Sequence, residues 1–325
     1  MRIIFAGSPE IGIPSLEALV KLQLDQTGVE VAGIVTNPDT PRGRSGTPEP
    51  TEISAAALEL SDKLISQGCP PIRQFKPEKL SAEARELIGS AVPDLLVSFA
   101  YGQIFGPKFL GLFPLGGINI HPSLLPKYRG AAPIPAAILN RDRETGITIQ
   151  TTALEMDAGD ILAQERFPLH GRETTATLSE FIARKAGEML PAVIQGLGSG
   201  RVARIPQNHR EASFCSRISK AEGRIDWTLR ADEIDARIRG FTPWPLSWTM
   251  HEEHCLYVLE AAPYQAPETF KEKSASPPGA VLGMDKHAGI LVQTGNGIAG
   301  ITRLQYRAKK ALEWRDFLIG ARDFL

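Results

Sequence analysis

The chain has 325 residues, of which 42% are hydrophobic, and its formal net charge at pH 7 is −1. This length exceeds that of a usual single domain and predicts two domains. No apolar run reaches the roughly 18 residues of a membrane span, and the apolar stretch before Gly7 is too short for a signal peptide, so we expect a cytoplasmic protein with no membrane partner.

The first part of the chain alternates apolar runs typical of strands with segments typical of helices. We predict strands at residues 2–6, 29–36, 94–100 and 118–121, and helices at residues 14–21 and 53–66. This alternation is typical of a Rossmann-like parallel sheet with helices on its faces. Ligands of such sheets bind beyond the carboxyl ends of the strands, so the segments that follow residues 6, 100 and 121 are expected to line one cleft.

The remaining elements indicate where the first domain ends. A helix is predicted at residues 132–140, a strand pair at 146–151 and 160–167, and a closing helix at 175–196. Residues 196–213 lose apolar periodicity and gain chain-breaking residues, as a linker does. A helix at 231–240 and short β segments with glycine turns then predict a small OB-like β-barrel. We therefore predict domains at residues 1–195 and 214–325, joined by a linker at 196–213.

Polar and apolar residues alternate in the segment from Ile118 to His121. On a strand, Asn119 and His121 share one face and the two isoleucines share the other. Asp157 follows 36 residues after His121 and adds a carboxylate. An amide and an imidazole N–H can stabilise an oxyanion, and an imidazole beside a carboxylate can exchange a proton near neutral pH, so the trio suits acyl transfer. The alternative is a strand end with two solvated polar residues.

Metal and nucleotide sites lack their usual sequence signatures. The three cysteines are widely spaced and form no CxxC pair, and His251 and His254 have no third ligand nearby, so no metal site is predicted. Residues 7–12 have neither the glycine spacing of a dinucleotide-binding turn nor the Lys-Ser/Thr of a P-loop.

A long motif surrounds Asn119 and His121. It consists of Asn-Ile-His at 119–121, Ser-Leu-Leu-Pro at 123–126, Tyr-Arg-Gly at 128–130 and Asp-Ala-Gly-Asp at 157–160. In this order and spacing the chain resembles the folate-dependent formyltransferases. The resemblance extends to residues 5–9, 100–102, 225–227 and 241–248, and so covers almost the whole chain.

The resemblance implies roles for these residues. Asn119, His121 and Asp157 are the expected catalytic residues, with Asp157 rather than Asp160 as the acid. The expected formyl donor is 10-formyltetrahydrofolate, which is a cosubstrate, and no metal is required. The expected folate-binding loop consists of Ser123, Leu124, Leu125 and Pro126.

The acceptor is indicated by other segments. Residues 225–227 and 241–248 resemble the branch of the family that formylates methionyl-tRNA. Residues 36–46, which contain Arg42 and Arg44, resemble the insertion with which that branch reads the acceptor end of tRNA, although the lysines that often follow the Arg are absent and Glu49 and Glu52 lie close behind. Lys309 and Lys310 lie in the clearest basic patch of the second domain and are predicted to contact tRNA; a solvated strand edge is the alternative.

Taken together, these features predict a monomeric enzyme that transfers a formyl group from 10-formyltetrahydrofolate to the α-amine of methionyl initiator tRNA. Within the family the alternatives are a glycinamide ribonucleotide formyltransferase, which Pro122 favours, a nucleotide-sugar formyltransferase, and a formyltetrahydrofolate hydrolase. The non-enzymatic alternative is a tRNA- or folate-binding protein. Loss of Asn119, His121 or Asp157 would be its signature, and all three are present.

Overall fold

The computed structural model describes residues 1–41, 46–265 and 276–321. By their contacts, the described residues form two compact units. The first unit takes residues from 1–130, 146–167 and 179–214, and the second takes residues from 131–145, 168–178 and 215 onward. Each unit is thus assembled from separate segments of the chain, and the linear boundaries at residues 195 and 214 stay a prediction.

The secondary structure follows the predicted order with several additions. The strands are β1 Arg2–Ala6, β2 Glu30–Val35, β3 Thr40–Pro41, β4 Pro48–Glu49, β5 Arg73–Phe75, β6 Leu95–Ser98, β7 Gly117–His121, β8 Arg129–Gly130, β9 Glu144–Thr151, β10 Ile161–Pro168, β11 Phe214–Cys215, β12 Ser247–His251, β13 His254–Tyr264, β14 Val281–Asp285, β15 Gly289–Gln293, β16 Ile298–Tyr306 and β17 Leu312–Glu313. The α-helices are α1 Ile13–Leu24, α2 Glu52–Ser66, α3 Ala82–Gly89, α4 Pro107–Leu110, α5 Pro133–Leu139, α6 Thr175–Gly198, α7 Ala231–Gly240 and α8 Trp314–Gly320.

A seven-stranded sheet forms the centre of the first unit. Its strand order is β10-β9-β7-β6-β1-β2-β5. The pairs from β7 through β6, β1 and β2 to β5 are parallel, whereas β9 runs antiparallel to β7. In β1 the residues from Ile3 to Ala6 are completely buried, as expected of a parallel strand covered on both faces. The predicted parallel-sheet α/β architecture is confirmed.

Local sequence signals fix where the flanking helices begin. Pro14 lies in the first turn of α1, where its missing N–H costs no helical hydrogen bond. The Thr51 side chain caps α2 by accepting a hydrogen bond from the Ser54 N–H at 3.1 Å. On one side of the sheet an apolar cluster that includes Ile4, Phe75 and Phe109 forms part of the core.

The second unit is built on an antiparallel sheet. Its strand order is β12-β13-β16-β15-β14, and β17 adds to β16. Helix α7 packs against β13 and β16, and Ile234 and Ile238 of this helix join the buried apolar cluster of the sheet. The predicted small β domain after the α/β domain is therefore confirmed, and its sheet is antiparallel.

His251 and His254, for which the sequence offers no third metal ligand, pair across the tight turn of the β12–β13 hairpin. His251 Nδ1 lies 2.9 Å from the hydroxyl oxygen of Tyr306.

Among the described residues, no helix is both long enough and apolar enough to cross a membrane.

Candidate active site

One wall of the candidate site is the end of strand β7. Its pairing places Asn119 between Ser98 of β6 and Gln150 of β9. The neighbouring residues Ile118 and Ile120 are buried. Asn119 and His121 both approach the carboxylate of Asp157, which confirms that the two side chains lie on the same side of the strand.

The loop between β9 and β10 carries Asp157. The base of the loop is closed by two hydrogen bonds, since the Thr151 N–H donates to the Asp160 carbonyl and the Asp160 N–H donates to Thr151 Oγ1, each at 2.9 Å. Gly159 lies against the backbone of Thr151, and a Cβ at this position would be 1.7 Å from the Thr151 carbonyl oxygen. Asp157 itself has a φ of 51°, a left-handed conformation that is uncommon outside glycine and tends to occur at functional sites.

The Asp157 carboxylate is surrounded by hydrogen-bond donors. Its Oδ1 accepts from Asn119 Nδ2 at 3.3 Å and from Gln150 Nε2 at 3.1 Å. Its Oδ2 accepts from the Gly130 N–H at 2.8 Å. His121 Nδ1 lies 3.5 Å from Oδ1. The structure therefore brings Asn119, His121 and Asp157 into one cluster and fixes the orientation of the carboxylate from three sides.

His121 is almost completely buried, with 4% of its surface exposed. Its Nε2 lies 2.8 Å from the Tyr128 carbonyl oxygen, an acceptor, so this nitrogen carries a hydrogen and donates it. The pKa of His121 lies below its ordinary value because burial disfavours the charged ring, and this effect outweighs the opposing influences of Asp157 and of the bond to Tyr128. The resting ring is therefore neutral near pH 7, with its Nδ1 facing Asp157.

Arg129 is a buried residue next to the site, and its contacts stabilise the arrangement of the site. It is 1% exposed and is among the largest fully buried side chains of the described residues. Its guanidinium bonds within the protein: Nε and Nη2 donate to Gln207 Oε1 at 3.1 and 2.8 Å, Nη2 lies 3.1 Å from His209 Nδ1, and Nη1 lies 3.3 Å from Glu155 Oε1. A buried guanidinium with this many acceptors holds its surroundings in one arrangement.

Gln150 and Gln207 belong to the cluster, although the sequence reasoning did not single them out. Gln150 could have been found, because Thr148 and Gln150 alternate with isoleucines on β9 as Asn119 and His121 do on β7. Gln207 carries no comparable local pattern, since it lies in the segment predicted as a linker and reaches Asp157 from 50 residues away.

The predicted folate-binding loop, residues 123–126, follows shortly after the end of β7. Ser123 is completely buried, and its hydroxyl donates to the Lys127 carbonyl at 2.6 Å. The Leu125 N–H donates to Thr148 Oγ1 at 3.1 Å, and the Leu125 carbonyl accepts from Gln164 Nε2 at 3.0 Å. Leu124 and Pro126 are only partly buried. The polar groups of Ser123 and Leu125 therefore shape the loop, and its contact with folate stays a prediction.

The structure describes two of the four predicted tRNA-binding residues. Arg42 and Arg44 lie outside the described residues. Lys309 and Lys310 are exposed and lie in the turn between β16 and β17. Nearby, Arg303 forms an ion pair with Glu260 at 3.2 Å, so its charge is partly offset.

In residues 1–41, 46–265 and 276–321, no group of three or more His, Cys, Asp or Glu side chains is arranged to hold a metal ion.

Two family models match nearly the whole chain. The model described as formyl transferase matches residues 1–194, and the model described as formyl transferase, C-terminal domain, matches residues 217–322. The methionyl-tRNA formyltransferase of Treponema denticola is 43% identical over 100% of this chain and 98% of its own length. The protein of the same name from Treponema pallidum is 41% identical over 99% of this chain and 97% of its own length.

Solved structures share the fold at lower identity. A sugar 3N-formyl transferase, WlaRD, crystallised in the presence of dTDP and 5-N-formyl-THF, matches with a TM-score of 0.63 and 18% identity over 95% of this chain and 99% of its own. HypX from Aquifex aeolicus in complex with tetrahydrofolic acid matches with a TM-score of 0.60 and 17% identity over 98% of this chain. This chain spans about half of HypX, because the match covers 47% of that protein.

Proposed function

Because the chain belongs to the formyl transferase family, we propose that it transfers a formyl group from 10-formyltetrahydrofolate to the α-amine of methionyl initiator tRNA. The observation that carries the proposal is the cluster of Asn119, His121 and Asp157 at the end of β7, in a chain whose two halves both match the family. The full-length relatives named methionyl-tRNA formyltransferase support the choice of acceptor.

Asn119 is suited to stabilise the negative charge that develops during transfer. Attack of an amine on the formyl carbon places charge on the formyl oxygen, and this oxygen needs a donor already aimed at it. The amide nitrogen of Asn119 carries two hydrogens, one of which is directed at Asp157 Oδ1. The second can donate to the formyl oxygen, while Asp157 keeps the amide from rotating.

His121 is suited to move the proton. Its Nε2 is committed to the Tyr128 carbonyl, so Nδ1 is the nitrogen that can accept. His121 takes up the proton that the methionine amine loses as the new C–N bond forms, and Asp157 stabilises the resulting imidazolium. His121 then returns the proton to the folate nitrogen as the bond between that nitrogen and the formyl carbon breaks. The protein needs no covalent intermediate for this exchange.

We assign the binding of the two substrates to residues outside the catalytic cluster. The 10-formyltetrahydrofolate donor supplies the formyl group, and we assign its binding to the loop from Ser123 to Pro126, where the partly buried Leu124 and Pro126 offer apolar surface for a flat ring. We assign tRNA contacts to Arg42 and Arg44 and to the exposed Lys309 and Lys310. The enzyme is proposed to act as a monomer in the cytoplasm.

A labelling experiment tests this function. The protein is incubated with 10-formyltetrahydrofolate labelled in the formyl carbon, together with methionyl initiator tRNA, with glycinamide ribonucleotide, or with no acceptor. We expect label on the methionine of the tRNA. Label on glycinamide ribonucleotide alone would contradict the proposal and support the alternative that Pro122 favours. Release of labelled formate at the same rate in every tube would instead identify a hydrolase.

A further inference from the structure

Gln207 lies in the segment that the sequence predicts to be a linker, yet it is buried within the first unit, with 5% of its surface exposed. The same segment is anchored at Ile205, whose N–H and carbonyl exchange hydrogen bonds with Ile161 at 3.0 and 2.8 Å. It is anchored again at Ser213, whose carbonyl accepts from the Arg129 N–H at 2.8 Å. Gln207 therefore enters the site from a segment held at both ends.

The amide of Gln207 binds the Asp157 loop. Its Nε2 carries two hydrogens, which three acceptors share: the Asp157 carbonyl at 2.9 Å, the Gly159 carbonyl at 2.7 Å and Gln150 Oε1 at 3.0 Å. The amide nitrogen faces only oxygen acceptors, and the amide oxygen faces the Arg129 guanidinium, so the orientation of the group is unambiguous. A buried amide with all its partners satisfied is costly to disturb.

The amide oxygen of Gln207 binds the segment that positions His121. Gln207 Oε1 accepts two hydrogen bonds from Arg129. On either side of Arg129, the Tyr128 carbonyl holds His121 Nε2 and the Gly130 N–H holds Asp157 Oδ2. Gln207 thus joins the segment that orients His121 to the loop that carries Asp157, at the place where those two side chains meet.

We propose that Gln207 is a positioning residue for formyl transfer, which sets the Asp157 carboxylate against His121 and Asn119 without contacting substrate. The inference rests on the proposed function. A small displacement of Asp157 lengthens its contacts with His121 Nδ1 and Asn119 Nδ2, already 3.5 and 3.3 Å, and weakens the stabilisation of the imidazolium.

The test substitution is Gln207→Glu, which keeps size and shape but replaces the donating amide with a carboxylate oxygen. That oxygen faces the Asp157 and Gly159 carbonyls and repels them. We expect kcat for formylation of methionyl-tRNA to fall by about 10- to 100-fold, with each KM changed by less than about threefold, since a misplacement near 1 Å can cost about 100-fold in rate. The matched control is Asn208→Asp, the same amide-to-acid change at the adjacent exposed residue, and we expect it to change kcat by less than about twofold.

A double-mutant cycle separates positioning from general damage. In an Asp157→Asn background, Gln207→Glu should lower kcat by less than about twofold, because its effect passes through the Asp157 carboxylate. An equal loss in both backgrounds, or a single variant with kcat within twofold of wild type, overturns the inference. If Gln207→Glu does not fold, Gln207→Met is measured in the same cycle, and failure of both to fold also overturns it. Wild-type protein that does not formylate methionyl-tRNA refutes the proposed function instead.

Discussion

At the scale of single residues, His121 donates from Nε2 to the Tyr128 carbonyl, and its Nδ1 lies 3.5 Å from the Asp157 carboxylate. Burial makes the ring neutral, while the carboxylate is in place to stabilise the charged ring when a proton arrives. This balance suits a group that must both accept and release a proton in one catalytic cycle. It also makes His121 a contributor to the pH dependence of stability.

The pH dependence of unfolding tests this electrostatic description. Because the pKa of His121 is lower in the folded protein than its ordinary value of 6.5, the unfolded chain binds more protons as the pH falls through that value, and His121 then lowers the free energy of unfolding. We expect wild type to lose more stability than His121→Gln between about pH 7.5 and pH 5.5 in denaturant titrations. Glutamine can still donate to the Tyr128 carbonyl. Equal losses in the two proteins would show that the ring is not held neutral by burial.

The placement of Asn119 and His121 was predictable from the sequence, because a period of two within four residues fixes which side chains share a face. The choice of Asp157 came from the family motif, since a carboxylate in a glycine-containing turn has no local feature that separates a catalytic residue from a structural one. Gln207 was not predictable, because its partners Arg129 and Gln150 are 78 and 57 residues away and no periodic pattern links them.

At the scale of elements, the β9–β10 loop leaves little room for a change in its backbone. Its base is fixed by the reciprocal bonds between Thr151 and Asp160, and Gly159 fits only because it lacks a side chain. The largely buried strand β1 and the 15-residue helix α2 were predicted to within one residue at each end. The short edge strand β5 and the helix α3 were not predicted. They have three and eight residues, and segments this short show too little apolar periodicity.

A substitution at Gly159 tests the role of this loop. In Gly159→Ala the new Cβ would lie 1.7 Å from the Thr151 carbonyl oxygen, so the backbone that carries Asp157 must move. We expect kcat to fall by about 10-fold or more and the midpoint of thermal unfolding to decrease by a few degrees, as about 1–3 kcal/mol of overpacking would cause. Gly106→Ala is the control, because its Cβ would meet nothing within 4 Å. Equal activity in the two variants would mean that the loop adjusts without moving Asp157.

At the scale of the whole molecule, the two halves of the chain carry different parts of the proposed function. The candidate catalytic cluster lies in the first unit, and Lys309 and Lys310 lie in the second. The order of an α/β domain and an antiparallel β domain followed from the pattern of apolar runs. The interleaving of chain segments between the two units did not, because sequence periodicity identifies elements but does not say which of them pack together.

The ionic-strength dependence of tRNA binding tests the role of the second unit. We expect the Lys309→Ala, Lys310→Ala double variant to bind methionyl-tRNA more weakly while kcat at saturation stays within about twofold. If both lysines contact phosphates, the slope of log affinity against log salt should decrease by about 1 to 2 units. The control is Lys21→Ala, Lys63→Ala, which removes two exposed charges from α1 and α2. An unchanged slope in the Lys309 and Lys310 variant would place the tRNA elsewhere.

The most direct test of the central claim is a single-turnover measurement of formyl transfer to methionyl initiator tRNA. Enzyme in excess is mixed with the charged tRNA and 10-formyltetrahydrofolate, and the rate is compared for wild type, His121→Gln and Asp157→Asn, with folding checked by circular dichroism. If the cluster of Asn119, His121 and Asp157 carries out the transfer, the rates of both folded variants should fall by about 100-fold or more. Rates within about threefold of wild type would contradict it, and the chemistry would then have to be sought in other residues.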